Sequence, residues 1–336
     1  MSSNILPTTI AGAIFGASLA SSGVFLPSVI VSQMQLASFH MLKVFMAASA
    51  SSALIMALFS RAGLSQNKPR SPSSLGWFGT YDGNIIGGMM IGFGMALTGA
   101  CPGTVLVQLV TGVRSGWAVM AGGLLGGILY SRLSEPFRGR RPATVVDANR
   151  LTVHSKLGID TRYAILAYEV MCLAVITLVT VFGPKSPFTL LHPMVGGTLI
   201  GGAQAASLLL TGNPVGVSTA YEQAGWYFWR AFSSVLGQGP KSTPPPSTKS
   251  VFFAAGIAGG SWVMARSLPF VAVETEPAVP LARALIGGCV MVLGARIAGG
   301  CTSGHGISGM SLLSVASIIT VAAMFAGGIG LAAVVL

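Results

Sequence analysis

The sequence predicts an all-α polytopic membrane protein of about nine transmembrane spans, arranged as two inverted repeats with helices broken at the membrane midplane. Composition is the first observation behind this reading. Of 336 residues, 52% are hydrophobic and 8% charged, too little polar surface to cover a soluble fold of this size. The second is an internal repeat: Gly87, Gly88, Gly94, Gly99 and Cys101 recur two hundred residues later as Gly287, Gly288, Gly294, Gly299 and Cys301, without a gap. The third is that each copy places its cysteine where glycine or proline must interrupt a helix, as Cys101-Pro102-Gly103 and as Gly299-Gly300-Cys301.

Taken in order, the first apolar run covers about Thr8 to Leu26 and ends at Pro27; no Lys or Arg precedes it, so a cleaved leader is not expected. A short apolar connection, Ser28 to Leu36, leads to a second span, Ala37 to Phe59. Arg61 to Tyr81 is rich in Lys, Arg, Pro and Ser and reads as a loop. The third span starts near Asp82, breaks at Cys101, and is completed by a short helix, Thr104 to Thr111. The fourth covers Ser115 to Tyr130, and Arg132 to Arg162 forms a long basic connection.

Tyr163 to Phe182 is the fifth span. His192 to Leu210, the sixth, repeats the Gly12/Gly16 spacing of the first as Gly197/Gly201. Gly216 to Leu236 mixes aromatic and polar residues and suits an interfacial helix. Pro244-Pro245-Pro246 marks a linker before the seventh span, Val251 to Leu268. The eighth, Leu281 to Ala298, breaks at the second cysteine motif and is completed by a short helix from His305 to Ser311; the ninth runs from Leu313 to Leu336. The whole chain is then one transmembrane domain, with a first repeat at 8–131, a linking helix at 163–183 and a second repeat at 192–336.

An odd number of crossings between like units inverts the second unit. With the N-terminus inside, the loops after Arg61, Arg132 and Leu210 hold 13 Lys or Arg, against about five on the outer side, counting those at span ends. The positive-inside rule then makes the N-terminus cytoplasmic and the C-terminus external, in the plasma membrane. The net charge of +11 is read as topology and a bias towards anions, and nucleic acid is not an expected partner.

Two interruptions at equivalent points of inverted repeats meet near the midplane, where half-helix N-termini present free N–H groups to an anion. The candidate substrate path therefore comprises Gly99, Cys101 and Gly103 from one copy and Gly300, Cys301, Thr302, Ser303, Gly304 and His305 from the other. Arg296, five residues before the second cysteine, is assigned to anion attraction. Two cysteines and a histidine lack the paired spacing of a metal site, so neither metal nor cofactor is expected, and no catalytic group is assigned. Cys172 and Cys289 have no repeat partner and read as apolar filler.

The segments GFGMALTGACPG and GARIAGGCTSGHGISG resemble the paired signature of the YeeE/YedE family of sulfur-compound transporters. The resemblance implies an hourglass-shaped monomer of inverted repeats and a narrow route lined by Cys101 and Cys301, through which thiosulfate passes by transient S–H···S contacts. The family pattern has a further cysteine in the first helix region. Here that neighbourhood reads Ala17-Ser18-Leu19-Ala20-Ser21-Ser22-Gly23, and Ser22 is taken as the hydrogen-bond donor in its place. Two other readings belong beside this one: a membrane sulfur-relay protein passing a cysteine persulfide to a cytosolic sulfur-acceptor protein, and a partner subunit without transport of its own.

Overall fold

The computed structural model describes residues 5–64, 68–138, 151–184, 191–236, 247–267 and 279–335, with side chains of 134–138 left aside. The polar segment 139–150, the proline run 244–246, Glu274 and Glu276 lie outside the described residues. All regular structure among the described residues is helical: α1 (Ile5–Ser21), α2 (Pro27–Met34), α3 (His40–Arg61), α4 (Asp82–Thr98), α5 (Thr104–Thr111), α6 (Gly116–Arg138), α7 (Val153–Leu157), α8 (Thr161–Val181), α9 (Pro193–Thr211), α10 (Ser218–Val235), α11 (Lys249–Ser267), α12 (Leu281–Ile297), a π-type turn (Ser303–Gly309) and α13 (Val315–Val335). Four of them, α3, α8, α9 and α13, are long and apolar enough to cross a membrane by length and composition. The chain is an integral membrane protein.

Helix ends follow local chemistry. Pro27 and Pro193 open α2 and α9 at positions where the missing N–H costs nothing. Gly99, Gly112 and Gly212 close α4, α5 and α9 in the left-handed conformation, which glycine adopts without a Cβ penalty.

The long helices pair in a regular pattern: α1 with α11, α3 with α9, α4 with α13, and α6 with α12, while α4 and α12 cross each other. Close approach needs small residues at each crossing. At the α4/α12 crossing a side chain on Gly87 would begin 2.5 Å from the Gly294 carbonyl, and one on Gly94 2.6 Å from that of Gly287. Rising numbers on one helix meet falling numbers on the other, so the two are antiparallel. Gly12 and Gly16 of α1 face Phe253 and Ile257 of α11, as Gly197 and Gly201 of α9 face Val44 and Ser51 of α3.

Three elements depart from the sequence reading. Residues expected as a connection form α2, which packs on α3, α4 and α13. Cys101 follows a continuous 17-residue α4, and Cys301 a 17-residue α12, each about 25 Å long. After Gly99 the chain turns, and α5 brings Gln108 Nε2 back to donate to the Gly99 carbonyl at 2.9 Å. The second short helix is a wide π-type turn beginning at Ser303 instead of an α-helix from His305.

The 68–81 loop is tightly folded. Asp82 is fully buried and accepts N–H bonds from Leu75, Trp77, Phe78 and Gly83. Asn84 Oδ1 accepts from Ser73 N–H, while Ser73 Oγ donates to the Ile297 carbonyl at the end of α12. Across the same face, residues 151–153 pair with 313–315 through the Thr152/Ser314 bridge, and Ser314 Oγ donates to the Arg70 carbonyl. These bonds fix the backbone on which Arg70 stands.

Candidate functional site

The two cysteine motifs meet between two cavities. One, of about 50 Å³, is almost wholly apolar and is lined by Phe15, Leu19, Val44 and Phe45 together with Cys101, Gly103, Thr302 and Ser303. The other, of about 490 Å³, is lined by polar groups of the 211–219 and 247–250 segments together with Arg70, Gly300, Cys301 and Gly304. Irregular backbone is tolerated at depth where it borders such spaces.

Cys101 is held by the turn it begins. Its N–H donates to Thr104 Oγ1 at 2.7 Å, and Thr104 N–H points at its Sγ at 3.4 Å. Tyr221, buried on α10, donates its hydroxyl to the Pro102 carbonyl at 2.8 Å and fixes the turn from the opposite side. Cys301 is buried, with its Sγ 3.3 Å from Ser303 Oγ. Ser303 lines the apolar cavity beside Cys101 while Cys301 lines the polar one, so a thiol and a hydroxyl in contact separate the two spaces. Thr302 turns its hydroxyl towards the sulfurs of Met95 and Met324, at 3.7 and 3.5 Å.

Four residues assigned to the path from sequence line neither cavity. Arg296 forms an ion pair with Glu222, lies 3.3 Å from Ser218 Oγ and covers the Tyr130 ring at 5.6 Å, which makes it a brace between α12, α10 and α6. His305 is buried with both ring nitrogens engaged: Nε2 donates to the Ala298 carbonyl at 3.1 Å, and a neutral ring then accepts from Ser317 Oγ at Nδ1, 3.0 Å away. Ser22 is buried, its hydroxyl donating to the Leu19 carbonyl. Gly99 packs against Pro27.

The sequence reading passed over Arg70. Its Nε donates to the Gly304 carbonyl at 2.8 Å and its Nη1 to the Gly299 carbonyl at 2.8 Å, clasping the Cys301 loop from outside. Space for it is made by missing side chains. A Cβ on Gly304 would start 2.7 Å from Nη2, and one on Gly300 2.9 Å from Nη1. The glycines at 300 and 304 thus form a socket for a guanidinium contributed from 234 residues earlier.

Chemically, the arrangement offers a half-buried cation beside a buried thiol, then a hydroxyl, then a second thiol in an apolar chamber. A thiol is a weak donor and a soft, polarizable contact, suited to touching and releasing a sulfur-bearing anion.

A thiosulfate transporter, TsuA, of Spirochaeta thermophila is 24% identical over 281 residues, covering 79% of this chain and 78% of that protein. Two probable transporters from strains of Xylella fastidiosa are 28% and 30% identical over 145 residues, 42% of this chain and 91% of theirs. The family model described as sulphur transport matches residues 21–330, nearly the full length, and the chain belongs to that family.

Proposed function

We propose that the protein is a plasma-membrane permease for a sulfur-containing inorganic anion, thiosulfate, which passes between the two cavities by successive contacts with Cys301 and Cys101. The observation that carries this reading is the contact between Cys301 Sγ and Ser303 Oγ, because the two residues line different cavities. Weak, multi-site contacts of that kind allow an ion to leave as readily as it enters. The thiosulfate transporter among the relatives supports the choice of anion.

Nine crossings in two inverted repeats, 8–131 and 192–336 joined by a helix at 163–183, fit the helix pairing. Exchanging α1 with α9, α3 with α11, α4 with α12 and α6 with α13 turns the set of paired helices into itself. The antiparallel α4/α12 crossing, with Gly87 on Gly294 and Gly94 on Gly287, supports an exchange axis between these pairs that lies in the plane of the membrane. The Xylella relatives support the same division, since 145 residues make up most of each of them. Thr8, Arg70 and the segments 211–219 and 247–250 border the polar cavity, and the charge distribution assigns these segments to the cytoplasm.

Purified protein in liposomes tests the reading by uptake of labelled thiosulfate against sulfate. Cys101→Ala and Cys301→Ala should each cut thiosulfate uptake by at least tenfold, Cys→Ser should retain part of it, and Cys172→Ala and Cys289→Ala should leave it intact. Full uptake by the Cys101→Ala/Cys301→Ala double variant would refute the thiol route.

A further inference from the structure

We propose that the polar cavity is an anion vestibule and that Arg70 is its binding residue, holding the oxygens of thiosulfate while the terminal sulfur rests against the Cys301 thiol. The inference rests on the transport reading and names the station beside Cys301.

The charge of the cavity is one-sided. Arg70 and Lys249 both line it, and among the described residues no carboxylate does. The nearest candidate cation from the sequence, Arg296, is compensated by Glu222 and stands off the wall. A cation lining a partly enclosed space concentrates anions there.

The geometry of Arg70 specifies the ligand class. Two of its five N–H donors go to the carbonyls of Gly299 and Gly304. Those bonds fix the guanidinium plane against the motif, with Nη2 between Gly304 and Gly216, both of which form the cavity wall. A planar fork held in this way matches the oxygens of a tetrahedral oxyanion, and little side-chain freedom remains to be lost on binding. Cys301 lies on the same wall, within the loop that Arg70 clasps. Thiosulfate alone among simple sulfur oxyanions of this shape carries both oxygens and a terminal sulfur. Its oxygens suit the guanidinium and its sulfur the thiol; sulfate satisfies only the first.

Equilibrium binding of radiolabelled thiosulfate and sulfate to detergent-purified protein, run beside liposome uptake, separates these roles. Arg70→Gln should weaken both anions at least tenfold, Lys249→Gln both by about threefold, and Cys301→Ala should cost thiosulfate more than sulfate. Because Arg70 also braces a loop, Lys249→Gln serves as the variant that disturbs no described hydrogen bond of the motif. Wild-type affinity in both Arg70→Gln and Lys249→Gln would overturn the anion station even if uptake proceeds. The expected binding pattern in a protein that takes up no thiosulfate would uphold the station and sink the transport reading.

Discussion

Gly304→Ala is the sharpest perturbation of the socket. The added Cβ would lie 2.7 Å from Arg70 Nη2, against an ordinary contact of about 3.4 Å, so the guanidinium must retreat by roughly 0.7 Å. A retreat of that size takes the 2.8 Å bond from Nε to the Gly304 carbonyl to the edge of hydrogen-bonding distance. Hydrogen bonds to a charged group contribute about 1.5–3 kcal/mol each. Loss of one should therefore lower stability by that amount, and shift of the cation should lower thiosulfate affinity about tenfold. Thermal unfolding in detergent by intrinsic fluorescence, with thiosulfate binding on the same samples, reads both effects. A double-mutant cycle with Arg70→Ala isolates the cause: once the arginine is gone, the extra methyl meets nothing, and Gly304→Ala should add little further cost. Additive losses in the cycle would refute the socket, since they would mean that Gly304 is needed for a reason other than Arg70.

At the α4/α12 crossing, Gly87→Ala drives a methyl into the backbone of Gly294 and Ala298 and should destabilise by about 1–3 kcal/mol, whereas Gly202→Ala on α9, with open space around it, should be neutral or slightly stabilising in the same melt. Glu222→Gln strands Arg296 and should cost about 3 kcal/mol, while Glu222→Leu/Arg296→Met should recover much of the loss; thiosulfate affinity of the folded fraction should be unchanged, and a tenfold drop would return Arg296 to the path. For topology, Ser267→Cys should react with an impermeant thiol reagent added outside sealed cells and Leu157→Cys should not, in a background lacking the native cysteines; the reverse pattern would invert the assignment.

Much of the framework was legible from glycine alone. A crossing between two backbones tolerates no Cβ, so the contact positions Gly87, Gly94, Gly287 and Gly294 stand out in the sequence as a repeat. The cysteine motifs were legible for a related reason, since polar, glycine-rich sequence amid apolar helices has few uses other than lining a space. What escaped was pairing across long separations. Arg296 and His305 read as functional because a charge or a ring at depth needs justification, and their partners Glu222 and Ser317 complete the account only in three dimensions. Arg70 escaped for the opposite reason: in a basic, proline-containing loop it looked like a topology signal. The available clue was the company it keeps, because Ser73, Asp82 and Asn84 form a polar cluster too dense for a solvated connection. The turn-back of α5 was hidden too, since Gln108 reveals its role only when the Gly99 carbonyl is seen to need a donor.

The pairing of α1 with α11, α3 with α9, α4 with α13 and α6 with α12 has a consequence for biosynthesis. In every case a helix from the first half of the chain finds its close neighbour in the second. Gly12, for example, waits for Gly256, and at about 5–20 residues per second of synthesis that interval is roughly 10 to 50 s. During it the early helices sit in lipid with glycine-lined grooves unfilled, and Arg70 has no socket because Gly299 and Gly304 do not yet exist. Insertion and assembly are therefore separate events for this chain. The nascent first half is a set of inserted but unmated helices, the stage at which an insertase, a membrane chaperone or a quality-control protease has its opportunity.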